Sequence, residues 1–448
     1  MTTTLPPQPD LAPAAHWKFP QPTTSRLNNG LEVITYQLPG QHVIAAHLVL
    51  DIPLNAEDRS LEGVATICAR TLDEGTVAHG GDEFAELLET EGAGLGIDVS
   101  LAGIQTVLDV PVTRLNRALE LFAEAAISPA LADEDVNRHV QLRLAQIEQT
   151  RANPAQAATI AFRRSVFDAS SRASRMNAGE PETVAQVTPE AVRAFHADHF
   201  GPTGAKLIMA GDFRDDPAEL AEQAFGGWQN PRQHSQPLQV AEPSARRSLV
   251  VDRPGAVQAD IRLGGLGIDR LDPRWADITV AGYAVGGAFL SRLNAVLREE
   301  LGYTYGVRLT FSPMTSRGTF AVQGSFRTEV VGDALARAQS LLSVKDAPIT
   351  EQEVSDAVAY FTGVSPLRYA TADGVADQAA TQILARLGPR YVTESLAALR
   401  AVTPESATQA YLSVVRPDEL TLVVVGDADR VADPIRRAGF DDLNVEAL

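Results

Sequence analysis

The sequence predicts an α+β protein built from two tandem homologous domains, each a mixed, mostly antiparallel sheet packed with helices. The main observation is an internal repeat, because VTPEAVRAFHADHF starts at residue 187 and VTPESATQAYLSVV starts at residue 402, 215 positions later. The strand-like segments AKLIMAGDF and LTLVVVGDA place Gly-Asp pairs at 211 and 426, again 215 positions apart. A repeat of this length indicates a duplicated domain, not a solenoid of short units. Strand and helix patterns mix without strict βα alternation, which favours helices packed on a largely antiparallel sheet.

Composition along the chain sets the domain boundaries. Residues 1–25 are interrupted by prolines and predict a flexible N-terminal arm. A first α+β domain follows at residues 26–229. Residues 230–247, NPRQHSQPLQVAEPSARR, are rich in Pro, Gln and Ser and predict a linker. The second α+β domain covers residues 248–448.

Residue periodicity predicts the elements of the first domain in order. These are strands within 28–38 and 42–54, helices at 63–72 and 82–91, paired strands through 95–108, helices at 115–126, 132–151, 154–167 and 189–200, and a strand at 205–210.

Residues 285–311, VGGAFLSRLNAVLREELGYTYGVRLTF, are the most informative stretch of the second domain. Apolar residues at three-and-four spacing predict an amphipathic helix. Its predicted buried stripe consists of Phe289, Leu290, Leu293, Val296, Leu297 and Leu301. Gly302 is typical of a helix end, and the alternation that follows predicts a strand. Arg298 therefore falls in the last helical turn and Tyr305 at the start of the strand. A structural interpretation of the pair is available, since Arg298 complements the helix dipole and Tyr305 covers a core edge.

Charge and cysteine content narrow the class of protein. The chain of 448 residues carries a formal net charge of -19 at pH 7, which argues against binding nucleic acid or an anionic membrane surface. One cysteine, Cys68, excludes an internal disulfide and fits a reducing compartment. We find no signal-peptide pattern and no apolar run of membrane-span length, so we expect a cytoplasmic location. Few lysines, many arginines and abundant alanine indicate a bacterial source.

The residue pattern of the 285–311 stretch resembles that of a known family. Gly-Gly-x-Phe-x-Ser-Arg-Leu followed by Leu-Arg-Glu-x-x-Gly-x-x-Tyr is similar to the C-terminal half of the pitrilysin/insulinase clan of zinc metallopeptidases, which includes the mitochondrial processing peptidases. The resemblance covers nearly the whole chain from about Leu27. It implies tandem α+β domains that form half of a clamshell around a chamber. It also implies that Arg298 and Tyr305 reach the peptide being cut.

The clan's zinc site is degenerate in this sequence. Catalytic members carry His-x-x-Glu-His, in which two imidazoles one helical turn apart hold the metal and the Glu acts as base on the bound water. The matching frame here is residues 63–76, GVATICARTLDEGT. Thr66 and Arg70 stand at the histidine positions, Ala69 at the base, and Gln146 at the distal Glu. The resemblance therefore implies no metal in this chain. His196 and His199, spaced by three, are the only close histidine pair, and a solvated or capping role suits them better than metal binding.

These observations predict a non-catalytic subunit of a heterodimeric zinc metalloendopeptidase that degrades or processes peptides. The chain would have no cofactor of its own, with zinc in a homologous partner, and would contribute Arg298 and Tyr305 to substrate binding and transition-state stabilisation. The main alternative is a structural or peptide-holding scaffold without a proteolytic role. A second alternative is an active peptidase with an unrecognised metal site.

Overall fold

The first of two six-stranded sheets is built from the N-terminal half of the chain. The computed structural model describes residues 17–315 and 317–447. The sheet order is β1-β2-β6-β3-β5-β4, and the strands are β1 Thr23–Arg26, β2 Glu32–Gln37, β3 Val43–Leu50, β4 Gly94–Ser100, β5 Gly103–Pro111 and β6 Lys206–Gly211. Every neighbouring pair is antiparallel except β2 and β6.

The second sheet is built from the C-terminal half. Its order is β12-β7-β11-β8-β10-β9, and its strands are β7 Ser248–Asp252, β8 Gln258–Gly267, β9 Val307–Pro313, β10 Gly318–Arg327, β11 Thr421–Gly426 and β12 Leu443–Ala447. Here β7 runs parallel to both β11 and β12, and the other pairs are antiparallel.

Sixteen α-helical segments are found in the described part of the chain. They are α1 Val64–Arg70, α2 Gly81–Glu91, α3 Leu115–Ile127, α4 Asp133–Ala152, α5 Pro154–Val166, α6 Pro181–Val184, α7 Pro189–His199, α8 Pro217–Phe225, α9 Trp275–Gly282, α10 Arg292–Asn294, α11 Val331–Leu342, α12 Glu351–Arg368, α13 Ala372–Leu384, α14 Tyr391–Arg400, α15 Pro404–Val414 and α16 Ala428–Arg437. Two π-helical turns, Tyr283–Gly287 and Ala295–Glu300, extend α9 and α10.

The sheet registers confirm the duplication. Ala45 on β3 lies opposite Ala210 on β6, and Asp260 on β8 lies opposite Val425 on β11. Both partners are displaced by 215 positions between the two halves, which is the offset of the sequence repeat. The two tandem α+β domains with mixed, mostly antiparallel sheets are therefore present as predicted.

Each domain covers its sheet with a helix from the other domain. Helix α5 of the first half packs on β8 and β11 of the second sheet, and α13 of the second half packs on β3 and β6 of the first. Polar contacts follow the same exchange. Arg262 on β8 donates to the carbonyl oxygen of Ala155 on α5 at 2.6 Å, and His47 Nε2 on β3 lies 3.6 Å from a carboxylate oxygen of Asp373 on α13. The two halves are thus locked together by reciprocal contacts.

The N-terminal arm differs from the prediction. Residues 1–16 lie outside the described residues, but residues 17–25 are not loose. Trp17 stacks on Tyr369 with ring centroids 5.6 Å apart, and buried Phe19 contacts Tyr36 and Tyr369 edge-on. The arm thereby ties the first domain to the second, because the two aromatic side chains of the arm pack against Tyr36 of the first domain and Tyr369 of the second.

Residues 230–247, the predicted linker, are all described and contain no helix or regular strand. The segment still packs on the first domain. Gln239 Oε1 accepts the backbone N–H of Arg172 at 2.9 Å, Ala241 is buried, and Pro243 forms an isolated bridge with Phe167.

The stretch 285–311 departs from the predicted helix at its beginning. The chain leaves the helical path after Gly287 and resumes it at Arg292. Leu293 and Leu297 are buried as predicted, but Phe289 and Leu290 lie in the intervening loop with 74% and 72% of their surface exposed. Gly302 has the expected left-handed φ of 61°. Tyr305 does not begin the strand, because β9 starts two residues later at Val307.

One run of residues, whose two helical parts are separated by the loop at 288–291, has the length and composition of a membrane span, contrary to the sequence-based expectation. Residues Trp275–Glu300 pass that test, but more than half of the run is buried inside the protein. A core helix of a globular domain meets the same criterion, and α9 packs against α15 and α12.

Candidate functional site: a degenerate zinc helix and an arginine–tyrosine cleft

The four degenerate zinc positions lie on two neighbouring helices. Helix α1 carries Thr66, Ala69 and Arg70, and it packs against α4, which carries Gln146. Thr66 and Ala69 are buried, whereas Arg70 and Gln146 are exposed. The Thr66 hydroxyl has no hydrogen-bond partner within the described part of the chain. These side chains offer a hydroxyl, a methyl group, a guanidinium and an amide, and they do not make a zinc ligand set.

Local charge also disfavours a metal at this place. Burial lowers the pKa of Arg143 on α4, and the like charge of Arg70 lowers it further. The nearby carboxylate of Glu74 is already engaged, because it contacts both Arg138 and His139 at 2.7 Å. Among residues 17–315 and 317–447, no group of three or more His, Cys, Asp or Glu side chains could hold a metal ion. The clan's zinc ion does not fit the residues present.

Helix α1 is nevertheless held in place by a buried ion-pair network that the sequence analysis missed. Glu57 Oε1 accepts the backbone N–H groups of Gly63 and Ala65 at 2.9 and 3.1 Å, at the beginning of the helix. Arg172 donates to the other Glu57 oxygen at 3.0 Å, and both side chains are almost fully buried. The helix therefore keeps its position although its metal-binding residues are gone. The only sequence signal was a pair of acidic residues in a loop, which gave no reason to connect them with an arginine 115 positions away.

Arg298 and Tyr305 line one surface cleft of about 340 Å³, together with Tyr303 and Arg327. Tyr305 is 97% exposed, and its side chain extends into solvent. The structure therefore brings the two predicted residues together, although they lie on a π-helical turn and in a loop and not on a regular helix and strand.

Arg298 is more constrained than the sequence suggested. Its Nε donates to Glu299 Oε1 at 2.7 Å, and its Nη2 donates to the carbonyl oxygen of Phe289 at 3.1 Å. The guanidinium carbon lies 3.8 Å from the centre of the Phe289 ring, a cation–π contact. Arg298 thus holds the 288–291 loop in position, and only part of the Arg298 guanidinium remains free to bind a substrate.

Like Tyr303, Arg327 at the end of β10 is a cleft residue that the sequence analysis did not identify. Its side chain is exposed and has no carboxylate within 4 Å in the described residues. Tyr303 is committed, since its hydroxyl donates to Asp333 at 2.7 Å. The cleft therefore presents one free phenol, one partly engaged guanidinium and one free guanidinium. Such a set can donate hydrogen bonds to carbonyl oxygens or anions, but it contains no general base.

Family models match most of the chain. The model described as insulinase, peptidase family M16, matches residues 32–175, and the model described as the peptidase M16 inactive domain matches residues 186–361. An uncharacterised zinc protease of Streptomyces coelicolor is 23% identical over 390 residues, covering 85% of this chain and 84% of the relative. A protein of Helicobacter pylori called the non-peptidase homologue YmxG is 24% identical over 318 residues, covering 70% of this chain and 73% of the relative.

Solved structures share the fold. A peptidase M16 inactive domain from Pseudomonas fluorescens superposes with a TM-score of 0.82 at 23% identity, covering 91% of this chain and 98% of the other. A protease from Helicobacter pylori gives a TM-score of 0.81 at 16% identity, covering 91% and 100%. A chain of Candida albicans complex III gives 0.77 at 15% identity, covering 95% and 100%.

Proposed function

Because the chain belongs to the M16 family of insulinase-like peptidases, we propose that it is the non-catalytic subunit of a two-chain zinc metalloendopeptidase. The observation that carries the proposal is the free phenol of Tyr305, which is 97% exposed in a chain whose described residues offer no zinc ligand set. An exposed tyrosine hydroxyl beside an arginine is available to donate a hydrogen bond to a carbonyl oxygen that binds in the cleft. A homologous chain with an intact His-x-x-Glu-His motif would supply the zinc, the base and the attacking water.

The two cleft residues have distinct roles in this proposal. Tyr305 donates a hydrogen bond from its hydroxyl to the oxygen of the scissile carbonyl as negative charge develops on it. Arg298 uses the part of its guanidinium that Glu299 leaves free to hold a peptide carbonyl on one side of the cleavage point. Arg298 thus positions the peptide and Tyr305 stabilises the transition state, whereas the partner chain carries out the proton transfer.

The substrate class is unfolded peptides that fit between two half-clamshells. The net charge of -19 favours attraction of basic peptides over acidic ones. We place the complex in the cytoplasm, since the buried Cys68 has no partner for a disulfide in the sequence.

The test is isolation of the complex from the native host. A tag on this chain should recover a homologue of similar size with His-x-x-Glu-His, and the pair should cleave an unstructured basic peptide in a chelator-sensitive way. Each chain alone should be inactive. Chelator-sensitive cleavage by this chain in the absence of the homologue would contradict the proposal.

The contacts of Arg298 favour a second candidate, a scaffold that holds peptides without cleaving them. Its ion pair with Glu299 and its contact with Phe289 give the residue a structural purpose that needs no substrate. Under this reading the isolated chain binds peptides, and adding the zinc-bearing homologue changes neither their affinity nor their integrity. Recovery of a homologue that cleaves peptides only when this chain is present would support the subunit over the scaffold.

A further inference from the structure

A cavity of about 530 Å³ lies between the two domains of the chain, and neither the four degenerate zinc positions nor Arg298 and Tyr305 line it. Its walls come from β4 and β5 of the first sheet, β9 and β10 of the second, and the exchanged helices α5 and α13. Much of the lining is apolar, including Leu101, Phe162, Phe167, Met314 and Leu384. A cavity of this size with a few convergent polar groups is typical of a small-molecule site.

Two arginines in this cavity form no ion pair within the described residues. Arg262 is 7% exposed, and its guanidinium donates only to neutral oxygens, those of Thr159, Ala155 and Ile261. Arg163 donates to the carbonyl oxygen of Ala173 and to the amide oxygen of Asn177. Throughout residues 17–315 and 317–447, no carboxylate oxygen lies within 4 Å of either guanidinium. Buried cations are normally paired directly, whereas here the opposing charges of Asp260 on Arg262 and of Glu180 on Arg163 act without a direct contact.

Both arginines line the cavity from neighbouring elements, Arg262 from β8 and Arg163 from α5. Arg262 donates to the Thr159 hydroxyl at 3.1 Å, and Thr159 and Arg163 are four residues apart on α5, which places them one above the other on one helix face. Burial lowers the pKa of Arg163 to about 10 and also lowers the pKa of Arg262. Both arginines therefore place a guanidinium on the wall of a cavity whose lining is largely apolar.

The acidic residues that line the cavity form no ion pair with Arg163 or Arg262 in the described part of the chain. Asp98 and Asp377 are exposed. The carboxylate of Asp269 accepts the backbone N–H groups of Leu271 and Asp272, which fixes it in a turn. Arg172, which also borders the cavity, is paired with Glu57 and serves as an internal comparison for how this chain buries a compensated arginine.

We propose that the interdomain cavity binds a carboxylate attached to an apolar body, with the carboxylate against Arg262 and Arg163 and the apolar part along Phe162, Phe167 and Leu384. A carboxylate offers the planar pair of acceptor oxygens that a guanidinium fork recognises. The source is either a fatty acid or the free C-terminus of an apolar peptide, which share this chemistry. The binding site does not depend on the proposed proteolytic role, since it is formed by this chain alone.

Calorimetric titration of the full chain with decanoate tests the proposal. We expect one decanoate per chain, and decanol, which keeps the tail and lacks the charge, should bind at least about tenfold more weakly. Arg262→Met and Arg163→Met should each weaken decanoate binding by about 10- to 100-fold, because each removes hydrogen bonds to a charged group. Arg308→Met is the matched control, since Arg308 is exposed on β9 and does not line the cavity, and its affinity should be unchanged.

A second variant keeps the test valid if an arginine variant fails to fold. Ser312→Trp, on the exposed edge strand β9, fills the cavity mouth and leaves both arginines in place, and it should also weaken binding. N-acetyl-trileucine with a free carboxyl group and its C-terminal amide distinguish the two sources. Binding of the free acid but not the amide assigns a peptide terminus, and binding of decanoate alone assigns a fatty acid. Equal affinity for decanoate and decanol, or unchanged affinity in a folded Arg262→Met protein, overturns the proposal.

Discussion

Removal of one oxygen atom tests the proposed role of the cleft. Tyr305→Phe deletes the phenolic hydroxyl and keeps the ring. Because Tyr305 is 97% exposed and its hydroxyl makes no hydrogen bond in the described residues, the substitution should change the free energy of unfolding by no more than about 0.5 kcal/mol. If the hydroxyl stabilises the oxyanion, turnover of the two-chain complex should fall about 10²- to 10³-fold, which corresponds to roughly 3–4 kcal/mol of transition-state stabilisation.

The structure supplies a matched control for this experiment. Tyr303 lies in the same cleft, but its hydroxyl donates to Asp333 at 2.7 Å and is therefore not available to a substrate. Tyr303→Phe should cost a modest amount of stability, about 0.5–1.5 kcal/mol, and leave turnover nearly unchanged. Turnover with a fluorogenic peptide and thermal stability should be measured on the same reconstituted complexes. Full turnover in the Tyr305→Phe complex would refute the assignment of this chain to an active site.

Three further outcomes follow from the structure. Arg298→Ala should raise KM more than it lowers kcat, and Arg298→Lys should restore little, because an ammonium cannot reproduce the bonds of a guanidinium fork; normal KM in the Ala variant would contradict this. The purified chain should contain no stoichiometric zinc by metal analysis. Restoring two histidines and a glutamate in α1 should not produce peptidase activity, because Gln146 still occupies the distal ligand position. Robust cleavage by that variant would contradict this expectation. Burial lowers the pKa of His47 against the opposing charges of the acidic residues on α13, so the unfolded chain binds more protons. The contribution of neutral His47 to stability is complete above about pH 6.5 and is lost as the pH falls. His47→Gln should therefore reduce the drop in melting temperature between pH 7 and 5, whereas substitution of the exposed His42 by Gln should leave that drop unchanged.

The duplication made the fold predictable from sequence. Identical offsets in a helix and in a strand required the same arrangement twice, and the registers of Ala45 with Ala210 and of Asp260 with Val425 have that offset. The exchange of α5 and α13 was not predictable, because an apolar helix face does not show which of two similar sheets it will cover. The same limit applies to Phe289 and Leu290, whose spacing suits a helix although the chain interrupts the helix at that point.

The sequence identified residues of the candidate site but not the contacts that those residues make. A family motif places Arg298 and Tyr305, but it does not reveal that Glu299 occupies part of the guanidinium. Arg163 and Arg262 resemble ordinary surface charges in the sequence. Their lack of a directly paired carboxylate becomes visible only when the two domains enclose them, since burial is a property of the tertiary structure.

The reciprocal exchange of α5 and α13 has a consequence for biosynthesis. The last strand of the first sheet ends at Gly211, but the helix that covers that sheet is complete only at Leu384. At about 5–20 residues per second, a ribosome needs roughly 10–35 s to add the intervening residues. Throughout that interval the apolar sheet face around Ala45 and Ala210 is uncovered on the nascent chain. A chaperone that shields this face should therefore raise the yield of folded protein. The gain should be larger than for a protein whose domains cover their own sheets.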